Sequence, residues 1–486
     1  MAKIVYKDVA VGADADAAYT APGKTSFSTL NLSAGINSEP YITLEKNLWV
    51  LNGTKKALGS NSVAFWSTQL SDIDGEFSSP PVITITFDNL YSSQGITLNF
   101  DTATGDYCSD VDISWYQDAA LKASGNFQPD SSVYFCEKQA TAWNKIVITL
   151  NATSLPYRRA KLERVLFGVA REFTDEMLRS ASAVNETNLI SAELPDSQLN
   201  FVLDSQTAVD YLFQMKQPLE VYDGNNLIGV YYISTSSRKS TTLYNISARD
   251  AIGVLAEQTY NGSVHLSGVS AKTLVNTIVG GAFEVEYADG LADASLTGLL
   301  LKQDKRSALQ QVLFAWGVAC ATDGGGKIKI FSPQSVSMEI GRDATYIGVS
   351  VTTEAIVTQV NVTAHTYTQS STGTVEVNGQ RYNDAKTVYT VDNPVVLATD
   401  KQNIKEVDGA TLVSTANGQA VAQRVYDYYA RRNRHSSKIR LNGERLGDCV
   451  EQPTPWETQE IGNIEYMKIT LSHIVAADIQ SLGVEE

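Results

Sequence analysis

The strongest constraint in this chain is a short helical module set among long runs of strand signals. In S-A-K-T-L-V-N-T-I-V-G-G, residues 270–281, Leu274, Val275, Ile278 and Val279 recur at helical spacing. Ser270 is placed to cap the start, and Gly280 and Gly281 to end it. In D-K-R-S-A-L-Q-Q-V-L-F-A-W-G, residues 304–317, Leu309, Val312, Leu313 and Trp316 repeat the pattern behind Asp304 or Ser307 as cap. D-G-G-G-K-I-K-I-F follows, ending at Phe331. Here Gly324, Gly325 and Gly326 are expected to supply the positive φ values of a tight turn, and Ile328 and Ile330 alternate with Lys327 and Lys329 as a strand with one wet face. A helix–helix–hairpin module between strand-rich flanks predicts a connector between β domains.

The flanks divide by pattern. Residues 1–40, rich in Ala, Gly, Ser, Thr and Asp, read as an extended arm that orders against a partner. Residues 41–168 carry V-I-T-I-T-F (82–87), G-I-T-L-N-F (95–100), D-I-S-W-Y (112–116), S-V-Y-F (132–135) and K-I-V-I-T-L (145–150). Short alternating runs with turn residues between them predict an antiparallel β-sandwich. A second strand set, 169–262, has a hairpin turn at Asp223-Gly224-Asn225-Asn226, and the connector is assigned 263–344. A third, 345–486, includes a helix at 419–432 with Val421, Val425, Tyr428 and Tyr429 on one face. The basic cluster after it, Arg431, Arg432, Arg434 and His435, is expected to stabilise the helix C-terminus.

Composition narrows the function. A chain of 486 residues exceeds one core at about 100–150 residues per domain. The formal net charge of −16 argues against a nucleic-acid-binding surface, which needs clustered Lys and Arg. The N-terminus lacks a signal-peptide pattern and no run reaches the ~20 apolar residues of a membrane span, so assembly in cytoplasm is expected. Cys108, Cys136, Cys320 and Cys449 lack metal-ligand spacing; Cys108 and Cys136 could sit on neighbouring strands, with reduced buried thiols the expected state.

Motifs of catalysis fail one by one. Ala21-Pro22-Gly23-Lys24-Thr25 resembles the tail of a phosphate-binding loop but has Ala18 where the first glycine is needed. Gly324 to Lys327 lacks the following Ser or Thr and precedes a strand. His265, His365, His435 and His473 are far apart, in no metalloprotease pattern. Asp72 with Asp74 and Asp110 with Asp112 could ligate Ca²⁺, but solvated turn carboxylates are the plainer reading. Trp66, Trp115 and Trp143 could stack on a sugar or fill the sandwich core. No catalytic, metal or cofactor residue is assigned.

Two resemblances extend this reading. F-W-S (65–67), G-E-F-S-S-P-P-V-I-T-I-T-F, G-I-T-L-N-F-D and R-R-A-K-L-E-R-V-L-F-G (158–168) follow the layout of the galactose-binding-like jelly roll. From about residue 170 onward the chain resembles phage tail and baseplate hub proteins, of contractile tails and of siphophage tail tips. The segments that carry this are E-L-P-D-S-Q-L-N-F-V-L-D-S (193–205), L-I-G-V-Y-Y-I-S-T to Y-N-I-S-A-R-D-A-I-G-V-L (227–255), the helical module, R-L-G-D-C-V (445–450) and I-G-N-I-E-Y-M-K-I-T (461–470). The resemblance implies a mainly β fold with two tail-tube-like β-barrels, 169–262 and 345–486, linked by the helical module. It implies a homotrimeric, non-enzymatic structural protein of a virion tail or baseplate. Its partners would be tail tube or distal tail proteins, a spike or tip protein and the tape-measure protein. The N-terminal sandwich, absent from many such hubs, would dock baseplate partners or bind a host-surface saccharide. A pore used by DNA would favour an acidic lining, since like charge repels phosphates.

Overall fold

A computed structural model describes residues 2–10, 12–33, 45, 63–206, 213–333, 337–346, 348–397, 399, 401–454, 456, 458–472 and 475–485. Most of the first stretch of the expected sandwich, and His473, lie outside the described residues. The chain divides into two compact units, Lys7–Arg171 and Met1–Tyr6 with Glu172–Glu486. The fold is mainly β, with few helices.

In the unit Lys7–Arg171 one antiparallel sheet runs in the order Ala18–Thr20, Val82–Asn99, Val133–Thr153, Cys108–Gln117, Ala120–Phe127. Alternation explains it: Ile83, Ile85, Ile113, Trp115, Ile146, Ile148 and Leu150 point to one face and are buried, while Thr84, Ser114 and Val147 between them are only half-buried. Val82–Asn99 pairs with Val133–Thr153 along nearly its whole length, through register shifts between Thr86 and Gly95. Gly95 has φ +151° and a Cβ there would lie 2.1 Å from the Cys136 carbonyl oxygen, so only glycine fits. The bulged, bent pair lines one core with both its ends, Ile83 and Ile85 at one, Ile96 and Leu98 at the other. The same core holds Trp115 and Trp143, the latter edge-on to Phe87 at 5.0 Å.

This unit also buries charge. Lys161 Nζ lies 3.2 Å from Glu45, 3.4 Å from Asp101 and 3.2 Å from Asp106, with Arg158 3.4 Å from Asp106. The ammonium also sits 5.1 Å above the Trp66 ring. Buried ions persist only when paired this closely.

The other unit is organised by a large sheet. One set of strands lies in the order Ala2–Val9, Pro218–Asp223, Asn226–Arg238, Leu243–Arg249, Gln198–Asp204, Leu178–Glu186. A second set continues it as Gln459–Thr470, Ala476–Glu485, Asn433–Arg440, Ser350–Thr353, with Cys449–Pro453 and Ser337–Glu339 branching from Gln459–Thr470. The sets meet antiparallel, from Ser182 opposite Thr470 to Glu186 opposite Tyr466. The two stretches expected as tube-like barrels therefore share one sheet. Part of the expected arm belongs to it as well, since residues 2–6 pair with 219–223. Ala2, Ile4 and Tyr6 are buried, so their alternation, diluted by the small residues that follow, is that of a core strand.

The connector has its own core. Ala271–Val279 is capped by Ser270, whose hydroxyl accepts from Thr273 N, and ends at Gly280. Lys305–Trp316 is capped by Asp304 through Ser307 N and ends at Gly317. The expected faces, Leu274, Val275, Ile278 and Val279 with Leu309, Val312 and Leu313, are buried together, each large side chain contributing about 1.5–3 kcal/mol. Trp316 is only partly buried and donates from Nε1 to the Ala292 carbonyl. The glycine-rich hairpin forms, but of Gly324, Gly325 and Gly326 only Gly326 has positive φ, +79°. Asp323 supplies the rest of the turn by accepting from Lys327 N at 2.8 Å, and Gly324 is needed because a side chain would meet the Leu227 carbonyl and Arg445.

Within 345–486 a separate sheet orders Val375–Val377, Gln380–Asp392, Gln359–Gln369 and Ile404–Val407. Its residues Val360, Val362 and Ala364 share the connector core with Val421 and Val425 of the helix Gly418–Ala430. The basic cluster after that helix does not cap it. Arg431 donates to Asn463 Oδ1 at 3.0 Å, Arg432 to the Glu354 carbonyl at 2.9 Å, and Arg434 faces Glu354 and Glu465. The chain turns into the strand Asn433–Arg440 at once, which carries these side chains away from the helix carbonyls.

Candidate functional site: the polar face of the joined sheet

The large sheet has two unlike faces, and the period of two in its strands sends every second side chain to the outer one. One row crosses the junction as Thr470, Ser182, Asn200, Ser247 and Thr235, each opposite the next. The Ser247 hydroxyl donates to Asn200 Oδ1 at 2.6 Å. A parallel row reads Lys438, Asp478, Lys468, Val184, Gln198 and Arg249. Further out the face continues as Tyr466, Gln480, Ser436 and Ser350. At the junction it forms an open trough of about 730 Å³, lined by Ser180, Ser182, Asn200, Asn245, Ser247 and Thr470 among others. No large apolar group faces outward along the first row, although Phe201 and Ile246 lie directly behind it.

The second row is not acidic: it carries Lys438, Lys468 and Arg249 against Asp478. Asp478 stands between Lys468 and Lys438 on neighbouring strands. Arg179 donates to Asp204 at 2.6 Å and holds that carboxyl below its usual range. Acids gather at one border instead: Glu186, Glu193 and Asp196 line a separate recess with Arg306. Burial pushes the Glu186 carboxyl up, with Asp196 and Glu193 adding to it. The first row of this face is made of small uncharged side chains. The sequence signal was present in S-Q-L-N-F-V-L-D, where Gln198, Asn200 and Val202 alternate with buried Leu199, Phe201 and Leu203. It was legible as strand alternation and not as a surface, because only the register shows which rows align.

The junction is braced from behind. Glu465, beside it on Gln459–Thr470, accepts from Tyr428 Oη at 2.9 Å and from Leu189 N at 3.3 Å, with Arg434 3.6 Å away. Burial raises the Glu465 carboxyl and, together with Glu465, the Tyr428 phenol.

The other candidate residues do not converge on chemistry. Trp115 and Trp143 are fully buried in the core of the unit Lys7–Arg171, and Trp66 lies under Lys161. Asp72 accepts from the backbone of Asp74 and Glu76, a turn. Asp110 and Asp112 are bridged by the side-chain amides of Asn126 and Asn151 at 2.8–2.9 Å. Among the described residues no group of three or more His, Cys, Asp and Glu is arranged to hold a metal ion. All four cysteines are free and buried, with burial pushing Cys136 up to about 12. Lys24 Nζ donates to the Ser28 carbonyl at 3.4 Å. His365 is held between Asp384, at 2.9 Å, and the Asp408 carbonyl, at 3.0 Å; His265 contacts Ser263, and His435 is buried in the large sheet. No helix among the described residues is long and apolar enough to cross a membrane.

No family model matches the sequence, and no curated protein matches it. Solved structures to which the chain is similar include a tail protein from Neisseria meningitidis MC58, 11% identical, covering 65% of this chain and 94% of that one with a TM-score of 0.46. Prophage tail protein gp18 from Listeria monocytogenes EGD-e is 14% identical over 64% of this chain and 91% of its own, with a TM-score of 0.43. A chain from the virion of a native gene transfer agent particle is 12% identical and covers 86% of this chain and 81% of that one, with a TM-score of 0.32.

Proposed function

We propose that this chain is a structural subunit of a phage tail or tail-like particle: a hub at the baseplate or tail tip that continues the tail tube as a homotrimer. The observation that carries the reading is the joined sheet. A ring of six equivalent sheet units can be continued by three chains only if each supplies two units side by side, and the pairing of Leu178–Glu186 with Gln459–Thr470 supplies that link within one chain. The outer face fits a lumen. Ser182, Asn200, Ser247 and Thr470 keep a hydrated surface, and in the row beside them Asp478 stands between Lys468 and Lys438 while Asp196 lies 3.6 Å from Arg249.

The reading assigns no catalytic role. It places the chain in a virion tail or baseplate assembled in the host cytoplasm, between tube and tip or spike proteins, with the tape-measure protein passing its polar face. The sandwich unit serves to dock neighbours, which agrees with the burial of Trp115 and Trp143. Native mass measurement of the purified chain, and electron microscopy of particles that contain it, test the proposal. Three copies in a ring with the 178–186 and 459–470 strands toward the lumen are expected; a chain that stays monomeric and never enters a tail-like particle overturns it.

A further inference from the structure

Apart from the large sheet, the four-stranded sheet of the same unit leaves a long edge open. Gln380–Asp392 pairs with Gln359–Gln369 on one side over its length, from Tyr382 opposite Gln369 to Asp392 opposite Gln359. On its other side Val375–Val377 covers only residues 380–382. From residue 383 to 392 no other strand among the described residues pairs with that side. Ala385, Lys386, Thr387 and Val388 are all exposed, so both faces and the edge meet solvent there. Val388 is 58% exposed, and Val395 and Leu397, just past the strand, are 70% and 66% exposed. An edge of this length, with alternate backbone groups directed outward and aliphatic residues beside it, is a template for another strand.

The charges along the edge say which strand. Lys386, Val388, Thr390 and Asp392 share one face. If a second copy is laid antiparallel about a two-fold axis at Tyr389, Lys386 falls opposite Asp392 twice, Val388 opposite Thr390 twice, and Thr387 opposite Val391 twice. Centring the axis on Val388 instead sets Asp384 against Asp392, and centring it on Lys386 sets lysine on lysine. Directly opposed strand residues of opposite charge attract, and like charges repel. Centring it on Ala385 opposes Lys386 to Asp384, but Asp384 is already held by His365 at 2.9 Å and residues 380–382 are covered by Val375–Val377, so the open edge is best matched about Tyr389.

We infer that this edge is a homotypic docking site, at which two copies of the chain join their four-stranded sheets across Tyr389. The contact is isologous and closes on itself, whereas a ring of hubs needs heterologous contacts. The two are therefore independent, and the edge contact pairs chains, or pairs whatever rings they form. Pairing covers Val388 and removes the open edge as a site for uncontrolled aggregation.

Sedimentation of the full chain over a concentration series tests this, with circular dichroism to verify folding. A concentration-dependent doubling of mass, from one chain to two or from a ring of three to six, is expected for the native chain. Lys386→Asp and Asp392→Lys, both at exposed positions that leave the core intact, are each expected to weaken this step about tenfold, since each turns two attractions into two repulsions. The double variant restores it, because the charges are merely exchanged. Absence of an even-numbered association step, single variants that associate like the native chain, or a double variant as weak as either single one overturns the inference. If a reversal impairs folding, Lys386→Gln and Asp392→Asn give a milder loss by the same logic, and an unchanged association with them counts equally against it.

Discussion

The two halves of the large sheet bury their inner faces in different ways. Behind the strands up to Arg249 the packing is aromatic: Phe173, Phe201, Phe213, Tyr244 and Tyr6 cluster, with ring centroids 5.1–6.4 Å apart. Behind the later strands, aliphatic residues such as Ile439, Met467, Ala477 and Ile479 lie near the junction, and beyond them the buried face turns polar. The Ser437 hydroxyl donates to Gln452 Oε1 at 2.6 Å, Gln452 Nε2 donates to Ser481 Oγ at 3.2 Å, and His435 stands opposite Ser481, fully buried. One sheet is thus held at one end by apolar volume and at the other by side-chain hydrogen bonds from Gln452, beside a His435 whose ring nitrogens have no partner among the described residues. The first depends on size and the second on partners.

That difference breaks first under loss of volume. Phe201→Ala is expected to lower the unfolding free energy by about 3–5 kcal/mol, the cost of a cavity among rings that cannot collapse onto it. Chemical denaturation followed at the tyrosines measures it; a loss below about 1 kcal/mol would mean that the aromatic cluster repacks freely. Gln452→Leu keeps the volume and removes both hydrogen bonds, leaving two buried hydroxyls short of a partner for a loss of about 1–3 kcal/mol. Replacing Ser437 and Ser481 by alanine in that background should return part of the loss. A neutral Gln452→Leu would erase the contrast between the halves.

Much of this fold was legible in the chain, and the exceptions have physical causes. The connector helices and their caps follow from Ser270, Asp304 and the apolar spacing, which are local. The strands of the unit Lys7–Arg171 follow from alternation, although 82–87 and 95–99 turn out to be one bent strand because Gly95 lets the chain bulge without breaking the ladder. Long-range pairing was not legible. Nothing local says that Ser182 meets Thr470, nearly three hundred positions away, so the shared sheet and its polar face required the register. The basic run at Arg431–His435 misled for the same reason: charge near a helix end suggests a cap, while its partners Asn463 and Glu465 come from a distant strand.

The smallest effect is a pH dependence of opposite sign in the two halves. Burial lowers the His435 imidazole, and neither ring nitrogen has a hydrogen-bond partner among the described residues. A group depressed in the fold stabilises it above its unfolded value, about 6.5 for histidine, and loses that contribution as pH falls toward the folded value. The second half should therefore loosen below about pH 6.5. Asp250, at the end of Leu243–Arg249, is a buried helix cap accepting from Gly253 N and Thr322 Oγ1, and burial raises it from 3.8 to about 6. A carboxyl raised in the fold stabilises it fully below its unfolded value and loses that contribution as pH rises through the folded one. Acidification from neutral pH to about 5 should accordingly tighten the Asp250 cap while weakening the strand around His435. Hydrogen exchange of amides 248–255 against 435–439 reads both at once. His435→Leu should flatten the response of the second set alone and Asp250→Asn that of the first alone; parallel responses in both sets would show that the two halves titrate as one body.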